Sequence, residues 1–192
     1  MEQSELKTSV RAAKHGSAQA FGRLYEHYAA ELYRFALWYL HNTSDAEDAV
    51  QEAILSAWRN IRALRKEEAF KAWLFQILAN ACKNQLQMKS SLRLVSLEEN
   101  GASARIAYVP AFEDDAVGSL LGSLSPEDRA IVTMAVLGDF KSGEIASVLG
   151  MKSATVRSRL SRALHALREE LESEAPALAA EEKEKKEEGA LQ

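Results

Sequence analysis

Cysteine is all but missing from this 192-residue chain, and a single residue, Cys82, excludes an internal disulfide and any cysteine-rich zinc site. Proline is scarce, with three residues, glycine is modest, with nine, and runs of alternating β-branched residues are almost lacking. That composition makes an all-helical protein the expected fold class. There is no long apolar run and no basic-then-apolar leader, so the sequence predicts neither membrane insertion nor secretion and points to the cytoplasm. The four histidines, His15, His27, His41 and His165, are scattered without the spacing of a metal site or a nucleophile triad. No metal, cofactor or catalytic residue is predicted, and an enzyme has the least support.

What is present is segregated charge. Of the formal charge of −4, the stretch from Glu174 onward, with six Glu against three Lys, accounts for −3. From Arg59 to Arg93 eight Lys or Arg stand against two Glu, a local surplus of six positive charges.

The stretch from Phe140 to Glu172 reads as a helix over Ser142 to Leu149, a turn at Gly150, and a second helix opened and capped by Ser153 that runs through Arg168. Two helices joined this tightly make a helix-turn-helix. In the second helix Val156, Leu160, Ala163, Leu167 and Leu171 form an apolar stripe. Thr155, Ser158, Ser161 and Arg162 occupy the other face, with Arg157 and Arg159 on its flanks. Short hydroxyls and guanidinium forks suit a helix in a DNA major groove, where Arg bonds a guanine edge or a phosphate bidentately. A solvated surface helix carries the same residue types, so the motif alone leaves both readings open.

Ahead of it the chain reads as helices with breaks. Residues 1–16 are polar, a frayed start or a short leading helix. Phe21, Leu24, Tyr25, Tyr28, Leu32, Phe35, Ala36 and Tyr39 keep helical spacing to about His41. Ser44-Asp45-Ala46-Glu47 reads as a capping box that opens a helix to about Ile61, with Val50, Ile54, Leu55, Trp58 and Ile61 on its buried side. Its other face groups Glu47, Asp48, Gln51 and Glu52. Acidic clusters are mostly solvated faces, yet beside apolar residues they also form docking surfaces. A third helix, Glu67 to Lys89, buries Phe70, Trp73, Leu74, Ile77, Leu78 and Leu86, and the aromatics Trp38, Trp58, Trp73 and Phe75 read as core. Periodicity lapses from Leu92 to Ala116, a linker with Gly101, Pro110 and the acidic run Glu113-Asp114-Asp115. Ser125-Pro126-Glu127-Asp128 then starts a helix that buries Ile131, Val132, Ala135 and Val136. The expected organisation is a helical bundle over residues 1–92, a flexible linker over 93–116, a helix-turn-helix domain over 117–173 and a charged, disordered tail over 174–192.

This order of parts resembles the extracytoplasmic-function sigma factors of the sigma-70 family. The resemblance rests on Phe21-x-x-Leu24-Tyr25-x-x-Tyr28, the string from Ala46 to Glu52 with Ala57-Trp58-Arg59, Phe70-x-x-Trp73-Leu74-Phe75-x-Ile77, and Glu144-Ile145-Ala146 with Thr155-Val156-x-Ser158-Arg159-Leu160. It implies a non-enzymatic promoter-specificity subunit. Glu47, Asp48, Gln51 and Glu52 would dock on core RNA polymerase. The third helix would hold the minus-10 strand through Asn80, Lys83, Asn84 and Gln87. Ser153, Thr155, Arg157, Ser158, Arg159, Ser161 and Arg162 would meet the minus-35 duplex. The partners implied are core polymerase, promoter DNA and an anti-sigma factor. The third helix departs from the family pattern: Leu78-Ala79-Asn80, Asn84 and Gln87-Met88-Lys89 stand where members often show Ala-Arg-Asn, an Asp and an Arg-rich run.

Two other readings stay open on the sequence. A sigma-like decoy that binds a regulatory protein is motivated by the neutralised third helix and the acidic total charge, and opposed by the arginines of the last helix. A two-domain helix-turn-helix regulator usually dimerises on a palindrome, and no extended apolar heptad seam is present for that.

Overall fold

Several helix starts in this chain are set by short polar side chains. Ser17 Oγ accepts the Ala20 N–H at 3.2 Å and opens the long second helix. In the computed structural model, which describes the backbone of residues 2–100, 116–136 and 138–189, every regular element among the described residues is helical. The first half comprises α1 (Gln3–Lys14), α2 (Ala18–Leu40), α3 (Thr43–Asn60) and α4 (Phe70–Asn100). Short 3-10 turns at Ile61–Ala63 and Glu67–Ala69 lead from α3 into α4.

The start of α3 differs from the expected Ser44 capping box. Helix α2 ends on His41 in the left-handed conformation (φ 51°), and Asn42 is the cap, its Oδ1 accepting the Asp45 N–H at 2.9 Å. Only two residues separate the helices, so Thr43 and Ser44 are drawn into the first turn of α3, and Asn caps as well as Ser does.

The first-half core is built from Leu24, Leu32 and Phe35 of α2, Ala46, Ala49, Ala53 and Ala57 of α3, and Phe70, Leu74, Phe75 and Leu78 of α4. Alanines along α3 let its neighbours approach closely. Cys82 is fully buried in this cluster, and burial pushes its thiol up to about 12. Trp38 and Phe75 are buried as expected, while Trp58 and Trp73 are only half-buried. Leu55, expected inside, is 48% exposed, and Val136 and Leu171 are also exposed. Val136 and Leu171 lie where their apolar stripes run out, whereas Leu55 lies in mid-helix at the edge of its stripe, and periodicity alone reveals neither.

The second half holds α5 (Ala116–Gly122), α6 (Pro126–Val136), α7 (Ser142–Leu149) and α8 (Ser153–Gly189). Ser125 Oγ accepts the Asp128 N–H at 3.2 Å, and Glu144 Oε2 accepts the Lys141 N–H at 2.8 Å. Gly150 takes φ 66° between α7 and α8, where a Cβ is costly. Ser153 is the first residue of α8 rather than the residue before it, and its Oγ accepts a hydrogen bond from Arg157 Nη1 at 2.9 Å instead of capping as expected.

Two expected boundaries move. Residues 93–100 of the expected linker continue α4, and Ala116 opens α5. Residues 101–115, with Pro110 and the acidic run, lie outside the described residues. The tract expected as a disordered tail carries α8 on to Gly189. Leu, Arg and Glu after Lys89, and Ala, Glu and Lys after Ser173, are strong helix formers.

The halves share one core rather than standing apart. Phe140, after α6, packs edge-on against Phe75 of α4 with ring centroids 5.0 Å apart. Lys71 Nζ donates to the Gly138 carbonyl at 2.8 Å, pairs with Glu31 at 2.9 Å, and lies 5.1 Å from the Phe140 ring centroid. A Cβ on Gly138 would stand 2.6 Å from Phe140 Cδ2, so only glycine allows this turn. A second cluster joins Trp38 of α2 to Leu121, Val132, Ala163 and Leu167. Beside it, burial and the neighbouring Arg129 push His41 down to about 4, which keeps it neutral against α5 and α6.

Candidate functional site

The acidic face forms along a groove between α2 and α3. The groove has a volume of about 460 Å³ and is lined by Tyr25, Ala29, Tyr33, Glu47, Val50, Gln51, Ile54 and Leu55. Glu47, Asp48, Gln51 and Glu52 are all exposed. At one hundred degrees per residue, Leu55 falls between the Glu47–Gln51 edge and the Asp48–Glu52 edge, so an exposed apolar side chain sits inside the acidic group. Tyr25, 39% exposed, flanks it from α2. Tyr25 and Leu55 read as core in the sequence because they keep helical spacing, and Tyr33 is not singled out there at all. What could have flagged them is their place beside a cluster of charge. Asp45, two residues before Glu47, is held by Lys89 of α4, which fixes α3 against α4 at this end.

On α4, Asn80, Lys83, Asn84 and Gln87 are exposed and fall within about one hundred degrees of arc. Half-buried Trp73 lies two turns earlier on the same side. An amide-rich stripe with an aromatic edge can hydrogen-bond and stack an unpaired base, but its charge comes from Lys83 alone.

On α8, Val156, Ala163 and Leu167 are buried. Thr155, Arg157, Ser158, Ser161 and Arg162 are exposed, and Ser153 and Arg159 half-buried. Arg162 Nε donates a long 3.4 Å hydrogen bond to the Ser158 carbonyl, and the side chain is exposed. Arg159 differs from its neighbours. Its Nε donates to Asp128 Oδ1 at 2.6 Å and its Nη2 to Ser125 Oγ at 3.3 Å, with Glu127 3.9 Å away. The guanidinium thereby fastens α8 to the start of α6.

Burial works to raise the Asp128 carboxyl, yet hydrogen bonds from Arg159 and Ser125 outweigh it and hold it below its ordinary value. Because the folded pKa is depressed, this stabilisation is present above the unfolded carboxyl value of about 3.9 and is lost as pH falls through the folded value. Asp128→Asn should therefore flatten the acid limb of a stability-against-pH curve. Arg159→Ala should cost about 1.5–3 kcal/mol at pH 7, the range for hydrogen bonds to charged groups. Denaturant titration at pH 3 to 7 measures both, and an unchanged acid limb in Asp128→Asn would remove the linkage.

Among the described residues no cluster of side chains could hold a metal ion, and no helix is long and apolar enough to cross a membrane. The Sigma-70 region 2 family matches residues 24–91, which span the acidic face and the α4 stripe, and Sigma-70, region 4 matches residues 114–167, which hold the helix-turn-helix. The ECF RNA polymerase sigma factor SigM of Mycobacterium tuberculosis is 33% identical over 149 residues, 77% of this chain and 75% of that protein. The ECF RNA polymerase sigma factor SigL of the same organism is 30% identical over 164 residues, 83% of this chain and 93% of its own length. The sigma factor RpoE of Bartonella quintana, solved in complex with the anti-sigma factor NepR, superposes with a TM-score of 0.66 at 26% identity, covering 81% of this chain and 98% of that one. With both halves matched in order, the chain belongs to the extracytoplasmic-function sigma factors of the sigma-70 family, RNA polymerase subunits that initiate transcription and are not enzymes.

Proposed function

We propose how the faces of this sigma factor divide the work. Residues 1–92 form the polymerase- and minus-10-binding domain, 93–116 the connection, and 117–173 the minus-35-binding domain. The groove edged by Glu47, Asp48, Gln51 and Glu52 docks core RNA polymerase. Asn80, Lys83, Asn84 and Gln87 receive the minus-10 strand once its bases leave the stack, which costs a few kcal/mol that backbone contacts and a pocket offset. The exposed side of α8 enters the minus-35 major groove. The observation that carries this reading is Leu55 standing exposed within an acidic group, since an apolar centre with a charged rim is the anatomy of a protein interface. An anti-sigma factor that covers these faces is supported by the Bartonella relative, solved with one bound. The cytoplasm, where polymerase and promoter meet, is the compartment this requires.

Run-off transcription with purified core polymerase on a promoter pool tests the whole reading, because transcripts should come from templates sharing one minus-10 and one minus-35 motif. Arg162→Ala should cost about 1–3 kcal/mol and relax one or two minus-35 positions, as expected when a base-edge hydrogen bond is removed. Arg157→Ala should weaken all templates alike and lower the salt slope by about one counterion. The opposite pattern would mean that the groove-facing side of α8 is centred on Arg157.

A further inference from the structure

At the N-terminal end of α4 lies a cleft that none of these roles uses. It has a volume of about 610 Å³ and runs between the last turn of α1 and the chain joining α3 to α4, walled by Arg11, Lys14, His15, Arg62 and Glu67. Three permanent cations thus share one carboxylate. Glu67 lies 3.9 Å from Arg11 Nε and 3.8 Å from Lys14 Nζ, at the outer reach of an ion pair for both. The adjacent Glu68 is turned to Lys7 at 2.9 Å and brings no charge to the cleft. Arg62 makes no ion pair among the described residues. Its Nη2 lies 3.8 Å from where a Cβ on Gly16 would stand, so the guanidinium is folded across the α1–α2 turn and into the cleft. Gly16 itself takes φ 94°. Even with His15 neutral, the walls carry a surplus of two positive charges, and low-dielectric walls of one sign focus the field on an incoming anion.

The cleft lies at the N-terminal end of the helix whose exposed stripe runs through Trp73, Asn80, Lys83, Asn84 and Gln87. Asn80 lies thirteen residues beyond Glu67, about 20 Å along the helix at 1.5 Å per residue. That stripe offers amides and an aromatic edge but little charge, whereas the cleft offers charge and no base-reading groups. A polymer with bases along one edge and phosphates along the other matches both together. We propose that the α1–α4 cleft seats one or two phosphodiesters of single-stranded DNA, with Arg11, Lys14 and Arg62 as the phosphate contacts. The proposal rests on the reading of α4 as the face that meets an unpaired strand, and it gives α1, outside both matched family regions, a part in holding that strand.

The test uses the full chain and a fluorescently labelled twelve-nucleotide oligo-dT, with anisotropy titrations from 50 to 200 mM salt. Lys14→Gln combined with Arg62→Gln should weaken binding about 3- to 10-fold at low salt. The same double variant should reduce the salt slope by about 1.4, since each single-strand phosphate that is no longer neutralised removes roughly 0.7. Glu67→Gln should act in the other direction and tighten binding two- to threefold. This second sign keeps the result readable if the double variant folds poorly. Failure of the wild-type chain to bind the strand, or equal binding by all variants, overturns the proposal. So does an equal loss on a twelve-base-pair duplex, or a loss of affinity for core polymerase without DNA, which would make the cleft a protein contact. The two readings separate cleanly: strand binding that depends on the cleft in a chain that programs no run-off sinks the promoter reading alone. Run-off by a chain whose strand binding ignores the cleft sinks this one alone.

Discussion

Phe140→Ala is expected to open the protein. Phe140 is buried between Phe75 on one side and its own turn on the other, so truncation leaves a cavity where the two halves meet. Buried Phe→Ala substitutions cost about 3–5 kcal/mol. At about 1.4 kcal/mol per factor of ten, the balance between joined and separated halves shifts by roughly two to three and a half orders of magnitude. The substitution also strips the aromatic face from Lys71, which is left with Glu31 and the Gly138 carbonyl. Each half keeps apolar residues of its own, Leu24, Leu32 and Leu74 in the first and Ile131, Ile145 and Val156 in the second. The expected result in small-angle scattering is a larger radius of gyration with helical content retained. A lower melting point at an unchanged radius would instead assign Phe140 to the interior of its own half.

Leu55→Arg is expected to abolish polymerase binding and leave the fold alone. Half its surface already meets solvent, so the cost to stability should stay within about 0.5 kcal/mol. As the apolar centre of a docking face it can carry about 2–4 kcal/mol of binding, a loss of thirtyfold to nearly a thousandfold. Asp48→Arg, on the rim, should act more weakly and more at low salt than at high, because exposed charges steer association and are screened. Core-polymerase affinity at two salt concentrations separates the effects. Retention of full affinity by Leu55→Arg would remove the groove from the interface.

Where sequence reasoning succeeded, the information was local. The α7 bounds, the left-handed Gly150, the Ser125 cap and the stripe of Val156, Ala163 and Leu167 each depend on residues within one or two turns. What it missed depends on which helix lies opposite. Leu55 and Tyr25 keep the spacing of core residues but have no neighbour to cover them, and nothing in their own helices says so. Arg159 has the same side chain as Arg157 and Arg162, yet Asp128, thirty-one residues earlier in the chain, takes it up. The joining of the halves through Lys71 and Phe140 was illegible for the same reason, since a carbonyl acceptor such as Gly138 leaves no mark in a sequence. The cleft of Arg11, Lys14 and Arg62 is assembled from segments fifty residues apart, each of which alone reads as ordinary surface charge.

The burial of Cys82 bears on redox behaviour. With its thiol pushed up to about 12, roughly one molecule in a hundred thousand carries the thiolate at pH 7, and the thiolate is the form that reacts with peroxide or a disulfide. The folded chain's one thiol is therefore a poor target for an oxidant. The same inertness is useful at the bench. Cysteines introduced at two exposed positions, one in each half, can take a donor and an acceptor dye without first removing the native residue. Unfolding would expose Cys82 to the same reagent, so its labelling reports, within the same sample, the fraction of molecules that have lost their core.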